Sequence, residues 1–425
     1  MIHYPHNLKA IFDKLENSAI RAVIIGGFIR DSLLNISSKD IDIEVYGISS
    51  FTQLENILRE FGDVNSVGKS FGVCKLKFED YELDFSFPRV DNKIREGHRG
   101  FEVEVNPNLD FKTASRRRDF TINAIGYDVI EKEILDPYNG IDDLNNKILK
   151  AVDKGSFIED PLRVLRAAQF CARFNLKIEE SLFSLCREMV KQNMLDELPK
   201  ERLYEELKKL LLMSHKPSIG FKLLKDFGTD IYTKNISVTD EISKQLTNNE
   251  QTNLVLMFAG LCYDYDSTET ANFIHKITDE KKLLNRVLEL TGKHNEIDNI
   301  YKNNMNTYSL YKLAAKVKID ELLILSRAIY SAQDSSKAYE AGTAIYKKAK
   351  ELNILREKLP PLLRGEDILV YGIEPSPEFS IILNRAYEAQ INSEFNSHKM
   401  AIKWLEKYLF TDSSKEAKAL NSLSQ

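Results

Sequence analysis

The pattern of apolar and polar residues changes period repeatedly between positions 23 and 45, and the rest of the chain is organised around this stretch. An apolar run at 23–25 predicts a buried strand, which the glycine pair 26–27 ends. The next residues, 28–34, have the spacing of a short helix. After a polar turn, residues 40–43 alternate charged and apolar side chains, a period of two that is typical of a strand.

Asp40 and Asp42 are two residues apart, so on a strand both carboxylates point to one face. Without a cation they would repel each other, whereas Mg²⁺ between them makes a hard oxygen site of the kind that moves phosphoryl groups. Gly26 and Gly27 at a helix start offer backbone N–H groups and the positive end of the helix dipole to a triphosphate. The stretch therefore predicts a phosphate site beside a metal site.

GGxxRD followed after eight residues by DxD resembles the opening signature of a family within the DNA polymerase β-like nucleotidyltransferases. That family comprises the class II tRNA nucleotidyltransferases and the bacterial poly(A) polymerases, and the chain is most similar to the CCA-adding members. The resemblance extends over positions 1–215 and is weaker beyond them. It implies that the triphosphate is bound by Gly26, Gly27 and Arg30, and that two Mg²⁺ ions are bound by Asp40 and Asp42.

Short strand-like runs follow an amphipathic helix at 51–61, and this mixture predicts α/β structure with hairpins rather than a doubly wound fold. On the run 81–87, Asp84 would complete a cluster of three carboxylates with the earlier pair. The corresponding strand of the family carries an acid followed five residues later by arginine, and Asp84 with Arg89 matches that pattern. Glu82, on the same face, is the competing candidate.

Residues 90–110 are mostly polar around one short strand at 101–105, and the resemblance implies a loop that moves with the growing primer end. A local basic cluster in this segment consists of Lys93, Arg95, His98 and Arg99. The segment 67–78 resembles the tRNA enzymes. A poly(A) polymerase would carry basic residues in place of Ser70, Gly72 and Val73.

The sequence RRDFTINA at 117–124 matches the family's second motif over its whole length. The match implies that the triphosphate and ribose are contacted by Arg117, Arg118 and Asp119. The Asp119 carboxylate can accept a hydrogen bond from a ribose 2′-OH, which would favour ribonucleotides. We expect Asn123 to brace the same loop.

The segment 156–174 contains EDPxRxLRA, which matches the family's fourth motif and by resemblance reads the incoming base. Acids followed by a proline predict the start of a helix. Asp160, Arg163 and Arg166 are spaced i, i+3 and i+6, and Glu159 is placed to hold the Arg163 guanidinium. A fifth motif lies on the amphipathic stretch 198–212, for which we expect a structural role.

Cytosine and adenine each present an exocyclic amine beside a ring-nitrogen acceptor. A carboxylate at Asp160 accepts from the first and a guanidinium at Arg163 donates to the second. Uracil and guanine present a carbonyl and a ring N–H instead, and a polar site left unpaired rejects a ligand strongly. We therefore expect protein groups, and no nucleic-acid template, to select CTP and ATP.

The chain reads as all-helical from position 217 onward. The segment 253–265 resembles the helix that carries a His-Asp metal pair in a phosphohydrolase domain fused to some tRNA nucleotidyltransferases. No metal set assembles from the residues in question, which are Cys262, Tyr263, Asp264, His275 and His294. We expect a degenerate domain without that activity, followed by a tail that by resemblance contacts tRNA.

Composition adds few constraints. With 425 residues, 43% hydrophobic and 29% charged, the chain is typical of a soluble protein of two or more domains. A net charge of −5 means that any nucleic-acid surface must be local. Four cysteines without a CxxC pair predict reduced, buried thiols and, with no signal-peptide layout or membrane-length apolar run, a cytoplasmic protein.

Taken together, these features predict an α+β protein with a polymerase β-like head containing a mixed sheet, followed by an all-helical neck, body and tail. The expected domains are a nucleotidyltransferase head, a base-recognition neck, a degenerate body and a tRNA-binding tail, at 1–150, 151–215, 216–340 and 341–425. The expected reaction is template-independent addition or repair of the tRNA 3′-CCA from CTP and ATP with release of pyrophosphate. The alternatives are addition of CC or A only, a poly(A) polymerase, and an inactive RNA-binding homologue.

Overall fold

The structure, a computed structural model, describes residues 2, 4–65, 73–93, 101–231, 233–334, 336 and 338–412. The strands, in chain order, are β1 (Arg21–Ile25), β2 (Asp40–Tyr46), β3 (Val64–Asn65), β4 (Val73–Phe78), β5 (Tyr81–Ser86), β6 (Arg89–Lys93), β7 (Phe101–Val105), β8 (Gly126–Asp128), β9 (Glu133–Leu135), β10 (Ile148–Leu149) and β11 (Lys177–Ile178).

Helices lie between the strands in the first half and follow one another in the second. They are α1 (Lys9–Asn17), α2 (Gly27–Leu33), α3 (Phe51–Leu58), α4 (Phe111–Ser115), α5 (Gly140–Asn145), α6 (Lys154–Ile158), α7 (Leu162–Phe174), α8 (Glu180–Lys191), α9 (Lys200–Met213), α10 (Pro217–Phe227), α11 (Ile236–Ser243), α12 (Glu250–Cys262), α13 (Ser267–Ile277), α14 (Lys281–Thr291), α15 (Glu296–Lys302), α16 (Thr307–Ala314), α17 (Ile319–Gln333), α18 (Glu340–Glu351), α19 (Gly365–Leu369), α20 (Pro377–Ile391) and α21 (His398–Lys407).

The chain forms two compact units, and the first consists of residues 1–236 and 273–279. Its main sheet, as far as the chain is described, has the order β3-β4-β5-β2-β1-β8-β9. The strand β2 runs parallel to β5 and antiparallel to β1, so the sheet is mixed, as predicted. This arrangement confirms the predicted α+β class, with a mixed sheet in the first part of the chain and helices after it.

The alternation along β2 explains why this strand is central. Ile41, Ile43 and Val45 are fully buried in the head core, where helices α1 and α3 cover the sheet. The intervening residues therefore point to the opposite face, and Asp40 and Asp42 are exposed there. Burial of the apolar set fixes the register, because a slip of one residue would bring the two carboxylates into the core.

The segment 90–110 contains more regular structure than the sequence indicates. The strands β6 and β7 pair antiparallel with Arg89 opposite Val105. The basic residues Arg95, His98 and Arg99 lie outside the described residues, as do Ser70 and Gly72. The expected helix at 156–174 is divided into α6 and α7, with Glu159 and Asp160 between the two helices.

In the described part of the second unit, residues 237–272 and 280–425, all regular secondary structure is helical. Helix α12 is buried along almost its whole length, and Cys262 lies in that buried part. The ring of Tyr263 packs edge-on against His294 at 5.7 Å, and the His294 Nδ1 lies 2.7 Å from the Thr291 carbonyl oxygen. These are packing contacts. Within the described residues no group of three or more His, Cys, Asp or Glu is placed to hold a metal ion.

Two further predictions from the sequence concern the cysteines and membrane-spanning helices. All four cysteines are free and buried, as predicted, and burial raises the pKa of the Cys171 thiol to about 12. Such a thiol stays protonated and unreactive at neutral pH. Of the helices described, none is both long and apolar enough to cross a membrane.

A close backbone approach at Gly140 gives a first prediction. A Cβ at Gly140 would lie 2.2 Å from the Thr121 carbonyl oxygen, which belongs to the turn that carries Asn123. We expect Gly140→Ala to lower the free energy of unfolding by roughly 2–3 kcal/mol, because backbone cannot move aside cheaply. The measurement is the urea midpoint of the full chain. In the control, Gly155→Ala, the Cβ meets only Asp153 Oδ1 at 3.3 Å, and equal midpoints for the two variants would contradict the prediction.

Candidate active site

The exposed face of β2 carries the two predicted metal-binding carboxylates. Asp40 and Asp42 both point into solvent from the strand, with Ile25 of β1 beside Asp42 in the antiparallel pair. Partial loss of hydration raises the pKa of Asp42, the Arg118 charge opposes this, and the charges of Asp84 and Asp40 add to it. Neighbouring carboxylates that disfavour each other's charge are a donor set that suits a hard divalent cation.

Asp84 lies beside Asp42 in the parallel β2–β5 pair, and Glu82 lies beside Asp40. The Asp84 carboxylate nevertheless binds Lys75, which stands directly opposite on β4, at 2.6 Å. Because no three acidic, His or Cys side chains form a metal-holding group within the described residues, the expected cluster of three carboxylates is not assembled. Repulsion from Asp42 and the nearby ammonium both favour this orientation of Asp84.

Gly26 differs in part from the expected role. Its φ is +72°, and a Cβ there would lie 2.7 Å from Arg118 Nη1, so only glycine fits this turn comfortably. Its N–H already donates to the Ile125 carbonyl oxygen at 3.1 Å. Gly26 therefore provides room for the arginine rather than a free donor for a triphosphate. Gly27 begins helix α2.

Arg30 is placed differently from the sequence expectation that it binds the triphosphate. The residue is only 5% exposed. Its guanidinium donates to Asn123 Oδ1 at 2.6 Å, and through Nε and Nη2 to Asp31 Oδ1 at 2.8 and 2.6 Å. Burial lowers the pKa of Arg30, and the Asp31 charge opposes that effect. With these partners inside the protein, Arg30 is a buried structural cation and is not open to a nucleotide.

Two arginines of the second motif line a small cavity beside Asp42. It has a volume of about 180 Å³ and its lining includes Asp42, Asp84, Arg117 and Arg118. Arg118 donates to the Asn123 carbonyl oxygen at 3.2 Å. The Nε of Arg117 is buried and has no hydrogen-bond partner in the described part of the chain. An anion in this cavity would therefore meet guanidinium groups on one side and the carboxylate face on the other.

Glu44 is a site residue that sequence reasoning missed. It is 1% exposed and lies on the same face of β2 as Asp42, one alternation further along. It accepts from the Tyr46 hydroxyl at 2.6 Å and from Arg117 Nη2 at 3.2 Å. Glu44 thus holds Arg117 over the sheet, and a third acid in the same alternation was the signal that could have revealed it.

Asp119 is also buried, with 7% exposure. Its Oδ1 accepts from the Phe120 N–H at 2.8 Å and from Asn123 Nδ2 at 2.9 Å, and its Oδ2 accepts from Arg166 Nε at 2.7 Å. Burial alone would raise the pKa of Asp119, but the Arg166 charge and the Asn123 hydrogen bond outweigh it and lower the pKa. The structure thus shows Asp119 as an anchor between the loop and α7, with no open edge for a ribose.

The base-reading pair expected near α7 is present and partly engaged. Asp160 accepts from Arg202 Nη2 at 2.9 Å and from the Leu162 N–H at 3.2 Å. Arg163 donates to the Ser156 carbonyl oxygen at 2.8 Å and to the Arg117 carbonyl oxygen at 2.6 Å. A carboxylate has about four acceptor positions and a guanidinium five donors, so each retains capacity for a base.

Arg166 of the fourth motif lies next to residues of the fifth motif on α9. Arg166 also lies 3.6 Å from Glu206 of α9, and the Asp119 charge raises its pKa. Burial lowers the pKa of Arg163, while the charges of Asp119, Asp160 and Glu159 oppose this. Arg202 and Glu206 on α9 therefore hold Asp160 and Arg166, which agrees with a structural role for that motif.

Comparison with known proteins assigns two segments of the chain. Residues 22–150 match the family described as the poly A polymerase head domain. Residues 175–229 match one described as the probable RNA and SrmB-binding site of polymerase A. The multifunctional CCA protein of Stenotrophomonas maltophilia is 36% identical over 212 residues, which cover 49% of each chain. The corresponding protein of Methylobacillus flagellatus is also 36% identical, over 49% of this chain and 48% of its own. The chain thus spans about half the length of the curated relatives it matches.

Solved structures extend the likeness of fold to nearly the whole chain. A CCA-adding enzyme without ligand has a TM-score of 0.68 at 19% identity, covering 96% of this chain and 95% of that one. A CCA-adding enzyme of Bacillus stearothermophilus, in complex with CTP, also has a TM-score of 0.68, at 18% identity, covering 97% and 100%. At such identities the comparison shows the fold alone.

The raised pKa of Asp42 predicts a stability effect that does not depend on activity. Ionisation of Asp42 costs more in the folded protein than in the unfolded chain, so its cost grows as pH rises from the ordinary Asp value near 3.8. We expect Asp42→Asn to melt above wild type at pH 8 without divalent metal, and the difference to disappear as the pH falls below the ordinary Asp value. Differential scanning calorimetry measures it.

The matched control is Asp80→Asn, in the exposed turn between β4 and β5. An Asp42→Asn gain that is independent of pH, or equal to that of the control, would contradict a raised pKa of Asp42 in the folded protein.

Proposed function

We propose that the chain is a member of the family of class II tRNA nucleotidyltransferases and bacterial poly(A) polymerases, and that it adds or repairs the 3′-terminal CCA of tRNA. CTP and ATP are the substrates and pyrophosphate is released. The observation that carries the proposal is the pair Asp40 and Asp42, exposed on one face of β2 beside a cavity lined with arginines. The base-reading residues Asp160 and Arg163 belong to the same compact unit.

The family implies the use of a divalent metal, and we propose Mg²⁺ held by Asp40 and Asp42. When bound, the metal would lower the pKa of the tRNA 3′-OH and offset charge developing on the α-phosphate. Arg117 and Arg118, which line the cavity, would face the triphosphate across it. Gly26 would keep the space between strand and helix open for Arg118.

Base selection would depend on the two polar groups at the start of α7. Asp160 would accept from the exocyclic amine of cytosine or adenine, and Arg163 would donate to the adjacent ring nitrogen. Arg202 and the Arg117 carbonyl oxygen, their present partners, would keep both groups oriented before the nucleotide enters. Uracil and guanine would leave both groups mispaired in a partly buried position.

Four segments would share this work. Residues 1–150 would supply the chemistry, 151–215 the base selection, 216–340 a degenerate body and 341–425 contacts to tRNA. The curated relatives named as multifunctional CCA proteins and the solved structure of a CCA-adding enzyme of Thermotoga maritima complexed with tRNA support tRNA as the partner.

The decisive experiment is single-turnover labelling of three tRNAs, ending before CCA, after C and after CC, with each nucleotide separately. We expect wild type to add CC and then A and to stop. Extension only to CC, or only from CC, would select a partial enzyme. Extension without a stop would select a poly(A) polymerase, and no extension a binding protein.

We expect Asp40→Ala and Asp42→Ala to reduce nucleotide addition by at least about 1,000-fold, because removing either carboxylate removes stabilisation of transition-state charge. Both variants should stay folded, since both side chains are exposed. The control is Asp80→Ala, another exposed acid of the head. Normal turnover in either active-site variant would exclude the metal assignment.

Removing the base-reading cation should change selectivity as well as rate. We expect Arg163→Ala to lower the preference for CTP and ATP over UTP and GTP by roughly 10–100-fold, the range for one lost polar contact to substrate. Arg187→Ala on α8 is the control, since the contact that the described part of the chain shows for this arginine is packing over Phe183. Competition assays with labelled nucleotide pairs measure the ratio. Unchanged discrimination against UTP and GTP would count against selection by protein groups.

A further inference from the structure

The buried guanidinium of Arg30 connects the glycine turn to the base-reading helix. Besides its hydrogen bonds to Asp31 and Asn123, its Cζ lies 4.6 Å from the ring centre of Phe174 and 5.1 Å from that of Phe170. Both rings belong to α7. A cation over two aromatic faces, with donors at its edge bound to fixed acceptors, is a strong and directional contact when desolvated.

The same side of α7 carries the residue expected to read the base. Arg163, Arg166, Phe170 and Phe174 are spaced i, i+3, i+7 and i+11, which with 3.6 residues per turn places them along one stripe. A rotation of α7 about its axis would therefore move the two aromatic rings and Arg163 together. Since Arg30 contacts both rings, it opposes such a rotation.

A third contact strengthens the same connection. Asp31, which binds two nitrogens of Arg30, also lies 3.8 Å from Arg173 Nη2, and the Arg173 Cζ lies 4.7 Å from the ring centre of Phe174. Only a planar guanidinium can stack on rings and donate from its edge at once. A lysine at position 30 would keep the charge but would lose one or more of these contacts.

We propose that Arg30 is a positioning residue for nucleotide selection: without touching the nucleotide, it sets the rotation of α7 and so the direction in which Arg163 meets the base. The proposal rests on the proposed function, because it concerns the choice between nucleotides in that reaction. It gives the arginine of GGxxRD a role in fidelity instead of triphosphate binding.

The test compares Arg30→Lys and Phe174→Leu with wild type. For tRNA awaiting C, the measured quantity is the ratio of kcat/KM with CTP to kcat/KM with UTP. The fraction of active enzyme cancels in this ratio, because a variant that only loses folded protein loses activity equally with both nucleotides. We expect each variant to lower the ratio by roughly 5–50-fold, and the double variant to lower it no further than the stronger single one, since both break one contact.

Phe183→Leu is the matched control, because Phe183 on α8 is also half-buried beneath an arginine, Arg187, at 6.0 Å. Its ratio should stay within about twofold of wild type. A wild-type ratio in Phe174→Leu or Arg30→Lys would overturn the proposal, and so would a ratio lowered equally by the control. Failure of wild type to extend any tRNA would instead overturn the proposed function.

Discussion

The exposed face of β2 places three acids in one alternating row, and the surrounding structure balances their mutual repulsion. Asp42 faces Arg118, and Glu44 binds Arg117 and Tyr46. Like charges at this spacing would destabilise the strand unless cations stood close by. The two arginines must therefore lie against this face, and this requirement places the whole second-motif loop. The outermost acids, with the least compensation from protein groups, are the pair suited to a metal ion.

The loop in turn determines where α7 can lie. Asp119 holds Arg166 of α7, and the Arg117 carbonyl oxygen holds Arg163. Each of these bonds involves a charged group removed from water, so leaving one partner unpaired would cost more than a neutral hydrogen bond yields. The helix is thereby fixed against the sheet by charge-assisted contacts along one stripe. Such contacts define direction as well as distance, which apolar packing alone does less strictly.

The sequence predicted what depends on local period and missed what depends on distant pairing. The alternation of β2 and the exposure of Asp40 and Asp42 follow from a burial pattern within one strand, and both are present in the structure. The orientation of Asp84 depends on Lys75 of the neighbouring strand, whose register no local pattern states. The burial of Arg30 likewise depends on aromatic rings contributed by a helix far along the chain. A sequence motif therefore identifies residues that lie close together in the fold, whereas packing determines which of them are accessible to a substrate.

Packing contacts between the carboxylate face of β2 and helix α7 could connect nucleotidyl transfer with selection of the nucleotide. Arg117 connects the carboxylate face with Arg163, the residue proposed to read the base: its side chain is held by Glu44, and its carbonyl oxygen accepts from Arg163. Arg30 supplies a second path, through the glycine turn and the rings of α7. Two separate paths restrict both translation and rotation of the helix, whereas one would leave it free to pivot. A nucleotide whose base fits this helix would then also present its phosphates at the carboxylate face, because the two ends of the site are held at a fixed separation.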